Sequence, residues 1–116
     1  MFAFFSRADR MAVTYRWKRR TVMQTTPPPK TLHLVIHGRV QGVFFRQSMH
    51  NEAQRLAIAG WVRNRSNGTV EAVVHGAPAA VDAMVRWAQR GPELAQVDRV
   101  DIDPTDGNFS NFEILN

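Results

Sequence analysis

Two short runs of this sequence carry residue types that can hold an anion and steer a water molecule. The first is Ile36-His37-Gly38-Arg39-Val40-Gln41-Gly42-Val43-Phe44-Phe45-Arg46, which leaves a strand-like stretch and enters a helix-like one through a loop containing two glycines. Such a loop can turn consecutive backbone N–H groups towards one point, and the helix N-terminus behind it adds partial positive charge. Arg46 falls in the first helical turn, from which its guanidinium can return over the loop and offer a planar fork of donors to a phosphate. Nothing acidic opposes it, because no Asp or Glu occurs between Arg10 and Asn51. The second run is Gly60-Trp61-Val62-Arg63-Asn64-Arg65-Ser66-Asn67-Gly68-Thr69-Val70. Asn64 can accept from a water through its carbonyl oxygen and donate to a phosphate through its amide without changing charge. Taken singly, each run also fits a plain structural turn, with Arg46 a solvated charge and Asn64 a polar residue beside a hairpin.

The elements that must position these residues follow from periodicity. Leu32, Leu34 and Ile36 alternate with His33, Val35 and His37, as in a strand with one apolar face. After the glycine loop, Phe45, Met49, Ala53 and Leu56 recur every three or four residues, which predicts an amphipathic helix to about Ala59, ended by Gly60. Trp61 to Arg65 reads as a second strand and Thr69 to His75 as its partner. Between them Ser66-Asn67-Gly68 makes a turn in which Asn and Gly tolerate positive φ. Pro78 suits a first helical turn, and Val81, Met84, Val85 and Ala88 form the apolar face of a second helix that stops at Gly91-Pro92. Val97 to Ile102 and Phe109 to Leu115 supply two more extended segments. The order is βαββαβ with a short terminal strand. This is an α+β fold of the split βαβ type, a mainly antiparallel sheet with two helices on one face.

Taken together, G-R-V-Q-G-V-F-F-R followed by G-W-V-R-N-R-S-N-G-T-V-E resembles the paired signature of the acylphosphatase family, and the resemblance extends over residues 31–116. It implies a ferredoxin-like sandwich, in agreement with the element order. By matching position it makes Arg46 the phosphate-binding arginine and Asn64 the water-orienting asparagine. The amides of Arg39, Val40, Gln41, Gly42 and Val43 become the phosphate cradle. Phe44 fills a variable position of the motif, and Arg65 stands where several relatives carry threonine. The activity implied is hydrolysis of the carboxyl–phosphate anhydride of a small-molecule acyl phosphate. A carboxylate leaves readily, so positioning and charge stabilisation must supply most of the catalysis. Apart from Glu71, which closes the second run, the paired signature offers no His, Asp or Glu, and neither metal nor cofactor is expected.

Other features read more plainly. Along a strand, His33 and His37 stand about 13 Å apart, too far for one ion. Asp98, Asp101, Asp103 and Asp106 straddle a strand and a proline turn and are expected to be solvated. Trp61 and Trp87 are expected in the core or between helices and sheet.

The 116 residues suit one domain with a real core, and the absence of cysteine excludes disulfides, thiolate metal sites and thiol nucleophiles. The net charge of +5 is unevenly placed. Residues 1–30 carry seven basic side chains against Asp9 alone, whereas residues 31–116 carry eight basic and nine acidic ones. The prolines 27–29 separate a basic extension, expected to be mobile, from a nearly neutral domain. No apolar run is long enough to span a bilayer. A soluble, cytoplasmic monomer with no nucleic-acid or membrane partner is therefore expected. Two non-catalytic readings stand beside the enzyme: a sandwich that binds single-stranded RNA on an exposed sheet face, and a module that binds an acyl or carbamoyl phosphate for delivery elsewhere.

Overall fold

The computed structural model describes residues 27–116. Most of the expected basic extension, including its strand-like stretch at Val13 to Trp17, lies outside the described residues. Pro27, Pro28 and Pro29 are exposed and irregular. Among the described residues regular structure begins at Lys30, one residue before the expected boundary, where β1 (Lys30–Arg39) sets out opposite Gly76.

The remaining elements are α1 (Phe45–Leu56), β2 (Ala59–Asn64), β3 (Val70–Gly76), α2 (Pro78–Ala88), β4 (Gln96–Pro104) and β5 (Phe112–Ile114). Among the described residues five strands form one sheet, ordered β4-β1-β3-β2-β5. β1 pairs antiparallel with both β3 and β4, and β2 antiparallel with β3. β5 alone is parallel to its neighbour, with Gly60, Val62 of β2 opposite Phe112, Ile114. This is the α+β ferredoxin-like sandwich anticipated from the element order.

Alternation puts Leu34 and Ile36 of β1, Val62 of β2 and Val70, Ala72 and Val74 of β3 on one face, all fully buried. Phe45, Met49 and Ala53 of α1 and Val81, Met84 and Ala88 of α2 close over that face. Trp87 joins the helices, its ring 5.3 Å from that of Phe45 and tilted by 60°. Burying such side chains stabilises the fold by about 1.5–3 kcal/mol each. Phe45, immediately before Arg46, is thereby fixed in the core.

Helix α1 ends earlier than its periodicity predicts. Ala57 adopts a left-handed conformation (φ 57°), and Ile58 N–H bonds to Ala53 O at 2.8 Å, closing the last turn. Gly60 therefore does not terminate the helix. It is already in β2, where a Cβ would collide with the carbonyl of Val73. The last extended segment is also shorter than expected, since Phe109 turns aside onto His75, with ring centroids 5.9 Å apart.

The sheet's other face is polar. His33 Nε2 and Arg63 Nε each lie 2.7 Å from a different oxygen of Glu71. His37 Nε2 lies 2.8 Å from Asp101, which Arg99 also approaches at 3.1 Å. Trp61 belongs to this face, not to the helix–sheet layer expected for it. Its neighbour Val62 takes the inward position, and Arg63 stacks over the indole at 5.4 Å. Asp101 is thus paired, not merely solvated.

Candidate active site

The loop from β1 to α1 is anchored at two points: Val40 and Val43 are buried in the core. Between and beyond these anchors the chain takes left-handed conformations at Gly42 (φ 73°) and Phe44 (φ 65°). A Cβ at Gly42 would meet nothing within 4 Å, so glycine is needed there for its backbone angle and leaves the space above it open. For phenylalanine the same region costs on the order of 1–3 kcal/mol, a strain of the kind concentrated at working sites. Among the described residues, no amide from Gln41 to Phe44 donates to a backbone carbonyl.

Helix α1 opens without a side-chain cap and with no acidic residue in its first turn. Its first internal bond runs from Ser48 N–H to Phe44 O at 3.0 Å, leaving the amides before Ser48 outside the helical ladder. Unpaired N–H groups, the positive end of the helix dipole and Arg46 in the first turn all favour an anion.

Asn64 closes β2 at the mouth of the hairpin, paired with Val70. The turn beyond it is held by side-chain chemistry. Asn67 Oδ1 accepts from Thr69 N–H at 3.1 Å and Thr69 Oγ1 at 2.7 Å. Only Gly68 takes a positive φ there; Asn67 acts through its side chain and not through the left-handed backbone expected of it. Gln41 ties the loop to this hairpin, donating from Nε2 to Arg65 O at 2.8 Å and Thr69 O at 2.9 Å.

The two halves meet in a cavity of about 340 Å³ lined by Val40, Gly42, Phe44, Phe45, Arg46, Gln47, Asn64 and Ile114. Arg46 and Asn64, eighteen residues apart in sequence, thus face one space. Both are half-buried, and among the described residues neither side chain has a hydrogen-bond or ion-pair partner. A half-buried guanidinium without a partner is costly unless something anionic meets it.

Of the other expected site residues, Val40 and Gly42 line the cavity, while Val43 points into the core and contributes only its backbone to the loop. The Gln41 side chain serves the hairpin. Arg39 is still in β1, exposed, opposite Gln96, at the margin of the cradle. Sequence reasoning did not assign Phe44, Phe45, Gln47 and Ile114 to the site. Phe44 carried a signal, an aromatic where a helix usually has a polar cap. Ile114 carried none, because it arrives through the parallel pairing of β5. His33 and His37, set aside as metal ligands, are each bonded to a carboxylate on the far face of the sheet.

A ferredoxin-like sandwich in which the first strand-to-helix loop, Arg46 and Asn64 line one cavity defines a small α+β domain with a candidate site in that cavity. Within that class the chain belongs to the acylphosphatase family, whose sequence model, described as Acylphosphatase, matches residues 32–114. It is similar to the acylphosphatase of Thiobacillus denitrificans (strain ATCC 25259 / T1), 62% identical over 84 residues that span 72% of this chain and 94% of that protein. The solved structure of an acylphosphatase from Coxiella burnetii superposes with a TM-score of 0.73 at 34% identity, covering 75% of this chain and 93% of that one. Full-length HypF in the phosphate- and nucleotide-bound form matches with a TM-score of 0.74 at 27% identity, covering 81% of this chain but 13% of that one.

Proposed function

We propose that this chain hydrolyses acyl phosphates to a carboxylate and inorganic phosphate, with Arg46 and the loop amides from Arg39 to Val43 holding the phosphate and Asn64 positioning the water. The observation that carries this reading is one cavity shared by two polar side chains, Arg46 and Asn64, that have no partner among the described residues, beside the uncapped start of α1. Family membership supports the same activity.

The water held by the Asn64 amide attacks phosphorus in line with the acyl oxygen. The new P–O bond forms as the P–O bond to the acyl group breaks, and the bonding pair leaves with the carboxylate. The water's proton passes to a phosphate oxygen. Charge on the equatorial oxygens is met by the guanidinium of Arg46 and the loop N–H groups, donors that are in place before reaction. A carboxylate needs no protonation to depart, so the site requires no general acid. The catalytic unit is residues 31–116, acting as a cytoplasmic monomer on a small molecule with neither nucleic acid nor membrane as partner. The near-neutral charge of that segment supports the lack of a nucleic-acid or charged-surface partner. Among the described residues no helix is long and apolar enough to cross a membrane.

The test is hydrolysis of benzoyl phosphate with a chelator present. Arg46→Ala and Asn64→Ala, both folded, should each lose about 10²–10³-fold in kcat, as removal of one oxyanion donor does. A wild-type chain that binds phosphate but does not turn over would overturn the enzyme reading.

A further inference from the structure

Four large apolar side chains stand exposed among the described residues: Phe44 at 74%, Leu94 at 61%, Ile102 at 40% and Ile114 at 38%. Two of the four, Phe44 and Ile114, line the cavity that holds Arg46 and Asn64. They come from opposite ends of the domain. Phe44 sits at the helix start in a left-handed conformation that glycine would adopt without strain. Ile114 ends β5, opposite Val62, two residues before Asn64 on the neighbouring strand. A strained, exposed ring and an exposed aliphatic chain converging on one polar site need an apolar group to cover them.

Resting on the hydrolase reading above, we propose that Phe44 and Ile114 form the seat of the acyl group, and that the chain is selective for acyl phosphates whose acyl part is apolar, aromatic or branched aliphatic. The composition of the cavity supports this. Among the described residues Arg46 is its only charged lining residue and is committed to the phosphate; Asn64 is committed to the water. Gln47 is the one polar side chain left, so a charged or strongly polar acyl group would be desolvated without a partner. A space of about 340 Å³ accommodates a phosphate with a ring-sized acyl group and lies at the small end of ligand sites.

The experiment compares kcat/KM for benzoyl phosphate and acetyl phosphate in the wild type, Phe44→Gly and Ile114→Ser, with inhibition by inorganic phosphate measured alongside. Comparing the ratio across variants cancels the intrinsic difference between the two leaving groups. The wild type should prefer benzoyl phosphate, and each substitution should lower that preference, together by about tenfold, the size typical of an apolar pocket contact. The loss should appear in KM, with inhibition by inorganic phosphate retained because phosphate has no acyl group. An unchanged ratio in both variants, with both substrates still hydrolysed, overturns the acyl seat and leaves the hydrolase reading standing. So does a loss that parallels loss of phosphate inhibition in both. A wild type that hydrolyses neither substrate overturns both readings.

Discussion

The side-chain amide of Gln41 donates to the main-chain carbonyl of Thr69 at 2.9 Å, and the same nitrogen reaches the carbonyl of Arg65 at 2.8 Å. One residue of the β1–α1 loop thereby holds both sides of the hairpin mouth that follows Asn64. That loop and the strand that carries Asn64 are distant in sequence. Their relative placement rests on these two bonds and on the sheet between them.

Gln41→Ala should therefore cost catalysis more than stability. Loss of two neutral hydrogen bonds predicts about 1–3 kcal/mol of destabilisation. A small shift of the loop against Asn64 predicts a fall in kcat of up to about 10²-fold. Gln41→Glu should be worse than alanine, because a carboxylate would face two carbonyl oxygens with nothing to donate. Kinetics and urea unfolding on the three proteins decide it; wild-type kcat in Gln41→Ala would show that the bonds are incidental to the site.

Arg46→Lys separates charge from shape. Lysine keeps the positive charge but loses the planar fork, so kcat/KM should fall about 10–100-fold. The unfolding midpoint should stay within experimental error, since Arg46 has no protein partner to lose among the described residues. A marked stability loss instead would mean that Arg46 holds the fold and not the ligand.

Phe44→Gly should raise stability. The ring is mostly exposed, so little buried area is lost, while left-handed strain of about 1–3 kcal/mol is relieved. Greater freedom of glycine in the unfolded chain offsets about 0.5–1 kcal/mol of that gain. A net stabilisation of about 1 kcal/mol by chemical denaturation is expected. A lower midpoint would show that the ring makes stabilising contacts that outweigh its backbone strain.

Much of this was legible because it depends on local pattern. The alternation of Leu34 and Ile36, and the spacing of Phe45, Met49 and Ala53, specify which faces are buried whatever the topology. That Arg46 and Asn64 stand at one place in the fold was legible because the runs around them resemble a family signature, and both line one cavity. Illegible were features made by long-range pairing or by competition. Ala57 ended α1 because a closing bond from Ile58 to Ala53 outweighed the helical periodicity that ran on. Trp61 was expected in the core or between helices and sheet, yet its parity along β2 puts it on the face opposite to that of Val62, the polar one. Ile114 reached the cavity only because β5 runs parallel to β2, a pairing that no local spacing announces.

The polar face makes the fold sensitive to acid. Burial alone would raise the pKa of Glu71, but hydrogen bonds from His33 and Arg63, with their charges, more than offset it and hold the carboxyl below its ordinary value. A depressed carboxyl stabilises the folded state above its unfolded pKa, and that contribution is lost as pH falls through the folded one. Wild type should thus lose stability below about pH 4, near the ordinary glutamate value. Glu71→Gln should be less stable at neutral pH and show a flatter profile in this window. Asp101, lowered by His37 and Arg99, should act in the same direction. Equal acid sensitivity in wild type and Glu71→Gln would contradict the assignment.

The outer strand β4 leaves one long side of the sheet without a neighbour among the described strands. It carries the charged residues Asp98, Arg99, Asp101 and Asp103 among Val97, Val100 and Ile102 and stops at Pro104, which has no N–H to give. An incoming strand from another molecule would meet three carboxylates along its path and find the ladder broken at its end. Such an edge resists the strand-on-strand growth that leads to fibrils. The opposite edge, β5, is three residues long and offers too short a template for the same growth. The open cavity at one end of the sheet thus does not come with an aggregation-prone flank: the two sides where a fibril could start are guarded by charge and by brevity.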